Sequence, residues 1–451
     1  MDAWRRVQWI YLTLTLLSTL AASLIWGINT LFLLDAGLSN AEAFGANAAF
    51  TAGMLLFEIP TGVVADTRGR RASYLLGAAT LLVSTLLYLL MWELQGPLLG
   101  WVGASILIGV GFAFFSGATE AWLVDALDAT GYDQSLESMF AKGQVVTGIA
   151  MLSGSVAGGF IAQATNLGVP YVARAALLGL TFAVAWWAMH DLGFEGRRSG
   201  AVRDEVAAVF RASIRGGLGN RPVRWMMLEA PFTAGVGIFV FYAMQPYLLE
   251  LYGDPDAFGI AGLAAAIVAG SQIVGGFAVP LLRRLVSYRT TVFIGTVVVS
   301  VLMLVGMGLV DTFWPALVML VVWAMSFAAA LPMRRAYLNG LIASEERATV
   351  LSFDSLMGSA GGVVAQPALG RIADVSGYGA SYVVSGALTA LALPFVLLAR
   401  REQAPSDPIL RGAPAPGSPQ PVPPQPIEVD PDGQRLAEPD PDGQEDTGSA
   451  D

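Results

Sequence analysis

A short run of glycines and charges separates two long apolar stretches: Gly62-Val-Val-Ala-Asp-Thr-Arg-Gly-Arg-Arg. Asp66 falls at the C-terminal end of a predicted helix, where the helix dipole disfavours a carboxylate, so it needs a cationic partner. Gly69 allows a tight turn, which brings Arg70 within reach of Asp66. Gly62 permits a close helix approach, and Arg71 can face an anionic lipid surface. The run predicts a turn held locally by an ion pair between Asp66 and Arg70.

Charged side chains inside apolar helices are costly and are usually functional. Those singled out here are Glu58, Glu120, Lys142, Glu229, Arg334, Arg335 and Asp354, with Asp125 close by. Opposite charges on separate helices, Glu120 with Arg334 above all, predict an ion pair that closes the inner gate of a pathway between the helices. Alternatively, each charged group reaches the membrane surface by itself. A buried carboxylate also binds a proton more readily, so Glu58, Glu120 and Glu229 are candidate proton carriers.

Aromatic and amide residues occupy the middle of several apolar stretches. The candidates for lining a central cavity are Trp26, Asn29, Phe115, Tyr242, Gln245 and Trp323. Aromatic walls with a few amide groups suit a neutral or amphiphilic organic ligand. Ordinary core packing or lipid contact would use the same residue types.

Several kinds of chemistry are excluded by composition. With no Cys and one His, neither thiolate catalysis nor a multi-histidine metal site is available. No Gly-x-x-x-x-Gly-Lys-Ser/Thr loop is present to bind nucleotide phosphates, so an ion or substrate gradient must supply any energy. We therefore expect no enzyme activity, no cofactor and no nucleic-acid partner.

The elements that position these residues are membrane helices. Hydrophobic residues make up 55% of the 451 and charged residues only 13%, against about 25% charged in soluble domains. A bilayer core of about 30 Å needs roughly 20 apolar residues per helix. Twelve candidate spans follow, at about 8–34, 43–65, 72–92, 97–125, 138–163, 170–190, 224–250, 257–281, 290–310, 313–343, 349–372 and 379–399.

Arginines orient these spans. Alternate connections hold clusters of Arg, including those at 5–6, 68–71, 197–221, 283–289 and 347, while the opposite connections hold mainly Asp and Glu. The positive-inside rule places the Arg-rich side and both termini in the cytoplasm.

The chain divides into a six-span bundle at 1–190, a central polar loop at 191–223, a second six-span bundle at 224–400 and a tail at 401–451. The loop predicts an amphipathic helix near 202–215 on the membrane surface. The tail holds twelve of the 24 Pro residues and eleven acidic residues, and such a composition predicts disorder.

The two bundles repeat one another with a shift of 214 residues. Glu42-Ala-Phe-Gly aligns with Asp256-Ala-Phe-Gly, Arg70 aligns with Arg284, and Ser73-Tyr aligns with Ser287-Tyr. A duplicated unit of this kind predicts a binding site at the repeat interface near the membrane midplane.

The run from Gly62 to Arg71 resembles the signature Gly-x-x-x-Asp-x-x-Gly-Arg-Arg/Lys that joins the second and third helices in the major facilitator superfamily. The resemblance covers about residues 1–400. It implies an all-α membrane fold of two pseudo-symmetric six-helix bundles, alternating access around a central cavity, and a signature that latches to the eleventh helix. Two patterns of drug–proton antiporters are imperfect here: the fourth span carries Ser105 where they have an Arg, and Ser155 stands where the fifth-span motif has a Pro.

These patterns together predict a secondary transporter of a bacterial plasma membrane, monomeric in the bilayer. The favoured activity is export of a hydrophobic or amphiphilic small molecule in exchange for protons. A nutrient or metabolite importer stays open, as does a non-transporting sensor or lipid-handling protein on the same fold.

Overall fold

A computed structural model describes residues 2–194, 196, 211, 213–343 and 346–409. Within these ranges the chain is helical, and its strand-like pairing is limited to one isolated bridge between Tyr288 and Pro408. Large apolar side chains cover much of the outer surface, with Trp187 78%, Leu309 75% and Val364 70% exposed. An outward apolar surface of this extent is what a lipid-embedded bundle requires.

The first half contains eight helical segments. They are α1 (Ala3–Trp26), α2 (Asn29–Asp35), α3 (Asn40–Arg68), α4 (Arg70–Glu93), α5 (Leu98–Phe115), α6 (Ala118–Ala129), α7 (Leu136–Ala164) and α8 (Gly168–Ala188). Gly117, with φ of 72°, separates α5 from α6 inside one membrane crossing. A capping box begins α3, because Ser39 Oγ accepts from the backbone N–H of Glu42 and the Glu42 carboxylate accepts from that of Ser39.

The second half begins with a π-helical turn at Ser213–Leu218. Its further segments are α9 (Arg221–Ala230), a π-helical turn at Pro231–Gly235, α10 (Val236–Tyr252), α11 (Phe258–Phe277), α12 (Val279–Leu285), α13 (Arg289–Leu309), α14 (Phe313–Asn339), α15 (Arg347–Ala390) and α16 (Ala392–Arg401). The amphipathic helix expected near 202–215 lies almost entirely outside the described residues.

Eleven helices in the described part of the chain are long and apolar enough to cross a membrane. The last of them, Thr349–Arg401, has 53 residues, more than twice what one crossing needs. Its backbone leaves the helical region at Gly377, where φ is 81° and ψ is 166°. The twelfth predicted span begins just beyond this break.

The bundle has two ends, named here for their charges. The arginine side carries Arg68 to Arg71, Arg283 to Arg289 and Arg347, and the acidic side carries Asp35, Glu42, Glu93, Asp254, Asp256, Asp311 and Asp374. Hydrogen bonds between the two halves lie in the acidic half of the bundle: Asp374 accepts from the backbone N–H groups of Asn40 and Ala41 at 2.8 and 3.0 Å. Among the described residues, no hydrogen bond or ion pair joins the halves on the arginine side.

Residues 402–409 extend the packed body beyond the boundary predicted at 400. Asp407 is 4% exposed, and its carboxylate accepts from the backbone N–H and the hydroxyl of Thr290, both at 2.8 Å. Ser406 donates to the carbonyl of Tyr337 at 2.8 Å. The first half has a similar arrangement after α8, where Asp191 accepts from the N–H of Arg71 at 2.8 Å. In each half, an Asp just past the last helix caps the first turn of the third crossing. The rest of the predicted tail lies outside the described residues.

Candidate functional site

The signature run forms a compact ion-pair cluster at the arginine side. A guanidinium nitrogen of Arg70 contacts the Asp66 carboxylate, and Arg70 Nε lies 3.6 Å from Asp125 Oδ2 on α6. This anchors the α3–α4 turn to the fourth crossing. Gly69 has φ of 102° and packs against Asp191, so a side chain here would be strained and would also clash. The cluster places one cation between two carboxylates, all from the first half.

Arg71 is turned away from that cluster. Its guanidinium donates to the carbonyl of Trp186 at 2.6 Å and lies 5.3 Å from the centre of the Trp186 ring. These contacts hold Arg71 against the end of α8. A Cβ on Gly62 would meet no atom of a neighbouring helix within 4 Å, so the close approach expected at Gly62 is not present in this conformation.

A second cluster, built from the second half, surrounds Arg334 on α14. Its Nη2 and Nε donate to the two carboxylate oxygens of Asp354 on α15 at 2.7 and 3.2 Å, which is a bidentate pair. Nη1 pairs with Glu229 on α9, and Nη2 also donates to the carbonyl of Met226 at 2.6 Å. The side chains of Arg334, Glu229 and Asp354 are only 17%, 6% and 13% exposed. Arg334 therefore joins three helices of its own half.

The predicted bridge from Glu120 to Arg334 is not formed in this conformation. Arg334 is occupied by Glu229 and Asp354, while Asp125 pairs with Arg70. Glu120, Lys142 and Arg335 are exposed and have no ion pair among the described residues. These three side chains can therefore form ion pairs in another conformation.

The proton-carrier candidates differ in their surroundings. Glu58 and Glu120 are exposed on α3 and α6, with no ion pair to any described residue. Glu229 is buried, and its charge is balanced by Arg334. Glu58 and Glu120 therefore differ from Glu229 in having no ion pair among the described residues.

Two of the predicted cavity residues, Trp26 and Gln245, lie in the seam between the halves. Gln245 Nε2 donates to the carbonyl of Trp26 at 2.9 Å, and Gln245 Oε1 accepts from the N–H of Thr30 at 2.8 Å. The Trp26 ring packs on Phe241 with centroids 4.8 Å apart. Asn29 donates to Asn47 at 2.8 Å and accepts from the Tyr171 hydroxyl at 2.9 Å. The hydrogen bonds of Gln245 join the two halves, whereas those of Asn29 lie within the first half.

The other three cavity candidates pack with neighbouring rings. Phe115 stacks on Tyr74 at 4.5 Å, Tyr242 contacts Phe241 at 5.4 Å and Trp323 stacks on Phe327 at 6.0 Å.

A cavity of about 750 Å³ lies elsewhere, on the arginine-side half of the bundle. It is formed by α7, α11 and α14, and its polar lining residues are Gln144, Thr147, Gln272, Arg335 and Asn339. Of the residues singled out from the sequence, Arg335 lines this cavity.

One buried charge, that of Arg174, is not among the residues singled out from the sequence. Arg174 on α8 is 2% exposed, with Nε donating to Thr85 at 3.0 Å and Nη1 to the carbonyl of Ala21 at 3.3 Å. Its guanidinium carbon lies 5.9 Å from the Phe112 ring centre, and no carboxylate of the described residues pairs with it. A single Arg inside the otherwise apolar stretch 168–188 was the signal available in the sequence.

The sequence matches the description Major Facilitator Superfamily over residues 11–326 and 232–431. The match covers most of the chain, and the chain belongs to this superfamily. It is a multi-pass integral membrane protein of a transporter fold. No curated protein matches the sequence.

Solved structures share the fold at low identity. The nucleoside transporter NupG is 10% identical with a TM-score of 0.70, covering 88% of this chain and 99% of its own. A D-xylose–proton symporter is 15% identical with a TM-score of 0.65, covering 87% and 96%. A bacterial homologue of the human lysosomal transporter Spinster, in an inward-facing and occupied conformation, is 15% identical with a TM-score of 0.66, covering 89% and 97%. At these identities the likeness concerns the fold.

Proposed function

We propose that the protein is a secondary transporter that works by alternating access and exports an amphiphilic small molecule from the cytoplasm. In this proposal the arginine side is cytoplasmic, the break at Gly377 separates the eleventh and twelfth crossings, and the membrane is a bacterial plasma membrane.

The observation that carries the proposal is that, among the described residues, hydrogen bonds join the two halves on the acidic side but not on the arginine side. In the acidic half, hydrogen bonds such as those between Gln245 and both Trp26 and Thr30 close the seam. The arginine-side half instead contains the cavity of about 750 Å³, a size in the range of about 300–1,000 Å³ for small-molecule sites. This is the arrangement expected of a transporter loading from its arginine side.

We propose that the arginine side is closed by charged side chains that have no ion pair to a described residue in this conformation. Glu120 on α6 and Arg335 on α14 belong to different halves, and both are exposed without an ion pair to a described residue. Pairing them would close this side, while the clusters around Arg70 and Arg334 keep each half rigid. Asp66 then acts as the latch as that turn approaches the start of α15.

Protons are the proposed coupling ion, with Glu58 and Glu120 as carriers. Both carboxylates are exposed and have no ion pair to a described residue. Export of substrate and inward movement of a proton would then use the same opening and closing of the arginine side.

The test uses purified protein in liposomes with an imposed proton gradient. Three probes separate the alternatives: dansyl-labelled undecanoic acid, its methyl ester and uridine. Gradient-driven movement of a dansyl probe, lost when the gradient is collapsed and lost in Asp66→Asn, is the expected result. Uridine movement without dansyl movement would replace the proposal by a polar-metabolite importer. Absence of movement of all three, with dansyl binding retained, would favour a sensor or lipid-handling role.

A further inference from the structure

The seam between α7 and α11 is tight at one end and open at the other. Towards the acidic side the two backbones touch: a Cβ on Gly262 would lie 2.5 Å from the carbonyl oxygen of Ser155 and 3.0 Å from Gly159 Cα. The N–H of Gly259 donates to Gln163 Oε1 at 2.9 Å. Glycines permit this contact between helices. The same two helices separate towards the arginine side to form the cavity described above, which we call the seam crevice.

The seam crevice has mostly apolar walls. Its lining residues include Met151 and Leu152 on α7, Ile273 on α11, and Ala328 and Leu331 on α14. Ile273 is 49% exposed and Leu331 is 40% exposed. Apolar side chains left open in this way favour an apolar occupant rather than water.

The apolar lining continues onto the lipid-facing surface. Next to Ile273 on α11, Phe277 is 78% exposed, and next to the crevice face of α7, Val145 and Ile149 are both 61% exposed. A hydrocarbon chain could therefore pass from the bilayer into the crevice without meeting water. Entry from the aqueous side would instead expose that chain to solvent.

One cationic side chain lies outside the mouth of the seam crevice and another lies inside it. Lys142 precedes Val145 and Ile149 by three and seven residues, which places all three on one face of α7. Arg335 lines the inside. Both are exposed, with no ion pair among the described residues. Beside Arg335, the Asn339 amide oxygen is buried without a hydrogen-bond partner, so it can accept from a hydroxyl of the occupant.

We propose that the seam crevice admits an anionic single-chain amphiphile from the cytoplasmic leaflet, with its acyl chain along the apolar walls and its head group on Arg335. This inference rests on the proposed function and adds to it the charge of the substrate and its lateral route. Lys142 attracts the head group at the mouth, and Arg335 holds it inside. A carboxylate or phosphate forms charge-assisted hydrogen bonds with a guanidinium, whereas an uncharged ester forms weaker ones.

Binding is measured on the full chain in nanodiscs, without any transport step. Because the protein has no Cys, a single Cys at Leu331, carrying a nitroxide, can report proximity by quenching bound dansylundecanoic acid. The matched reporter is Val172→Cys, an exposed apolar position on α8. Quenching at Leu331 with little at Val172 is expected; equal quenching at both would mean that the probe is simply dissolved in the bilayer and would overturn the site.

The charge requirement is tested in the Leu331→Cys background. Arg335→Gln should weaken binding of the acid at least tenfold, because it removes the charge-assisted hydrogen bonds to the carboxylate. Arg335→Lys should retain most of the affinity, and Arg283→Gln, which removes an exposed arginine of the same side, should change nothing. An Arg335→Gln protein that binds the acid as tightly as the unmodified chain would overturn the role of Arg335.

The crevice itself is tested by filling it. Gly148 lines the crevice, and a Cβ there meets no atom within 4 Å. Gly148→Leu should therefore fold and displace the probe, while Gly179→Leu, at an equally open glycine on α8, should not. Unchanged binding in Gly148→Leu would exclude the crevice.

Binding and transport can fail separately. Dansyl transport that is insensitive to both Arg335→Gln and Gly148→Leu would refute this inference and leave the transporter intact. Binding that depends on Arg335 without any transport would refute the proposed function and leave the site.

Discussion

Replacing Arg334 should destabilise the second half more than replacing either of its acidic partners. Arg334→Gln leaves the buried carboxylate of Glu229 and the partly buried carboxylate of Asp354 with no cation between them. Removing one partner of a buried ion pair typically costs about 3–5 kcal/mol. Glu229→Gln leaves the bidentate pair with Asp354 intact and also removes excess negative charge. It should cost no more than one charge-assisted hydrogen bond, about 1.5–3 kcal/mol.

The expected shift in thermal unfolding follows from these energies. For a unit of about 200 residues, 1 kcal/mol corresponds to about 2–4 °C, so Arg334→Gln should lower the midpoint by on the order of 10 °C. The measurement is thermal unfolding of the purified protein followed by tryptophan fluorescence. Because such unfolding is commonly irreversible, all variants are compared at one scan rate.

The neighbouring Arg335 supplies the matched control. It is exposed and has no ion pair among the described residues, so Arg335→Gln should leave the midpoint within about 1–2 °C, as expected for a surface change of up to 0.5 kcal/mol. Equal midpoints for Arg334→Gln and Arg335→Gln would refute the assignment of Arg334 as the charge that joins α9, α14 and α15.

Three further predictions concern transport and the end of the chain. Asp66→Asn should abolish most transport while the protein still inserts in the membrane; normal transport would contradict the latch. Combining Glu120→Arg with Arg335→Glu should recover part of the transport of the uncharged methyl ester that either change loses, because the ester does not need a cation at position 335; purely additive losses in the double-mutant cycle would exclude direct pairing. Ending the chain at Ile409 should leave transport within about twofold, because the removed residues are Pro-rich and acidic. Ending it at Gln403 should lower the thermal midpoint, since the buried contacts to α13 are lost; equal midpoints for the two truncations would show that those contacts contribute little.

The sequence was sufficient to predict the class of fold and the turn at Asp66 because both depend on local patterns. Apolar stretches of about 20 residues require membrane helices, and a carboxylate at a helix C-terminus requires a nearby cation. Arg70 lies four residues from Asp66, and the two are paired in the structure. The number of crossings and the side that each terminus occupies stay predictions.

Long-range partners could not be predicted in the same way. The 214-residue repeat aligned Glu120 with Arg334, and symmetry suggested that the two should meet. Sequence alone could not show that α9 and α15 bring Glu229 and Asp354 to Arg334 first. Similarly, the packing of Asp407 on Thr290 depends on a contact between residues 117 positions apart, whereas the composition of the surrounding tail indicated only disorder.

The charges of the two clusters explain why Arg335 is the better gating partner. Each cluster has one cation and two carboxylates, so each carries a net charge of 1 − 2 = −1; the members are Arg70 with Asp66 and Asp125, and Arg334 with Glu229 and Asp354. If the arginine side closed by bringing these clusters together, like charges would repel. Breaking Arg334 away from its partners to reach Glu120 would leave the buried Glu229 and the partly buried Asp354 without a cation, at a cost of about 3–5 kcal/mol. Arg335 has no partner to lose among the described residues, so its approach to Glu120 adds an attraction without that cost.

Because Arg335 has no such partner, an anionic head group can also bind it while the arginine side is open. Closure would then bring Glu120 towards the cation that the substrate occupies, so a gate and a substrate that share Arg335 should compete for it.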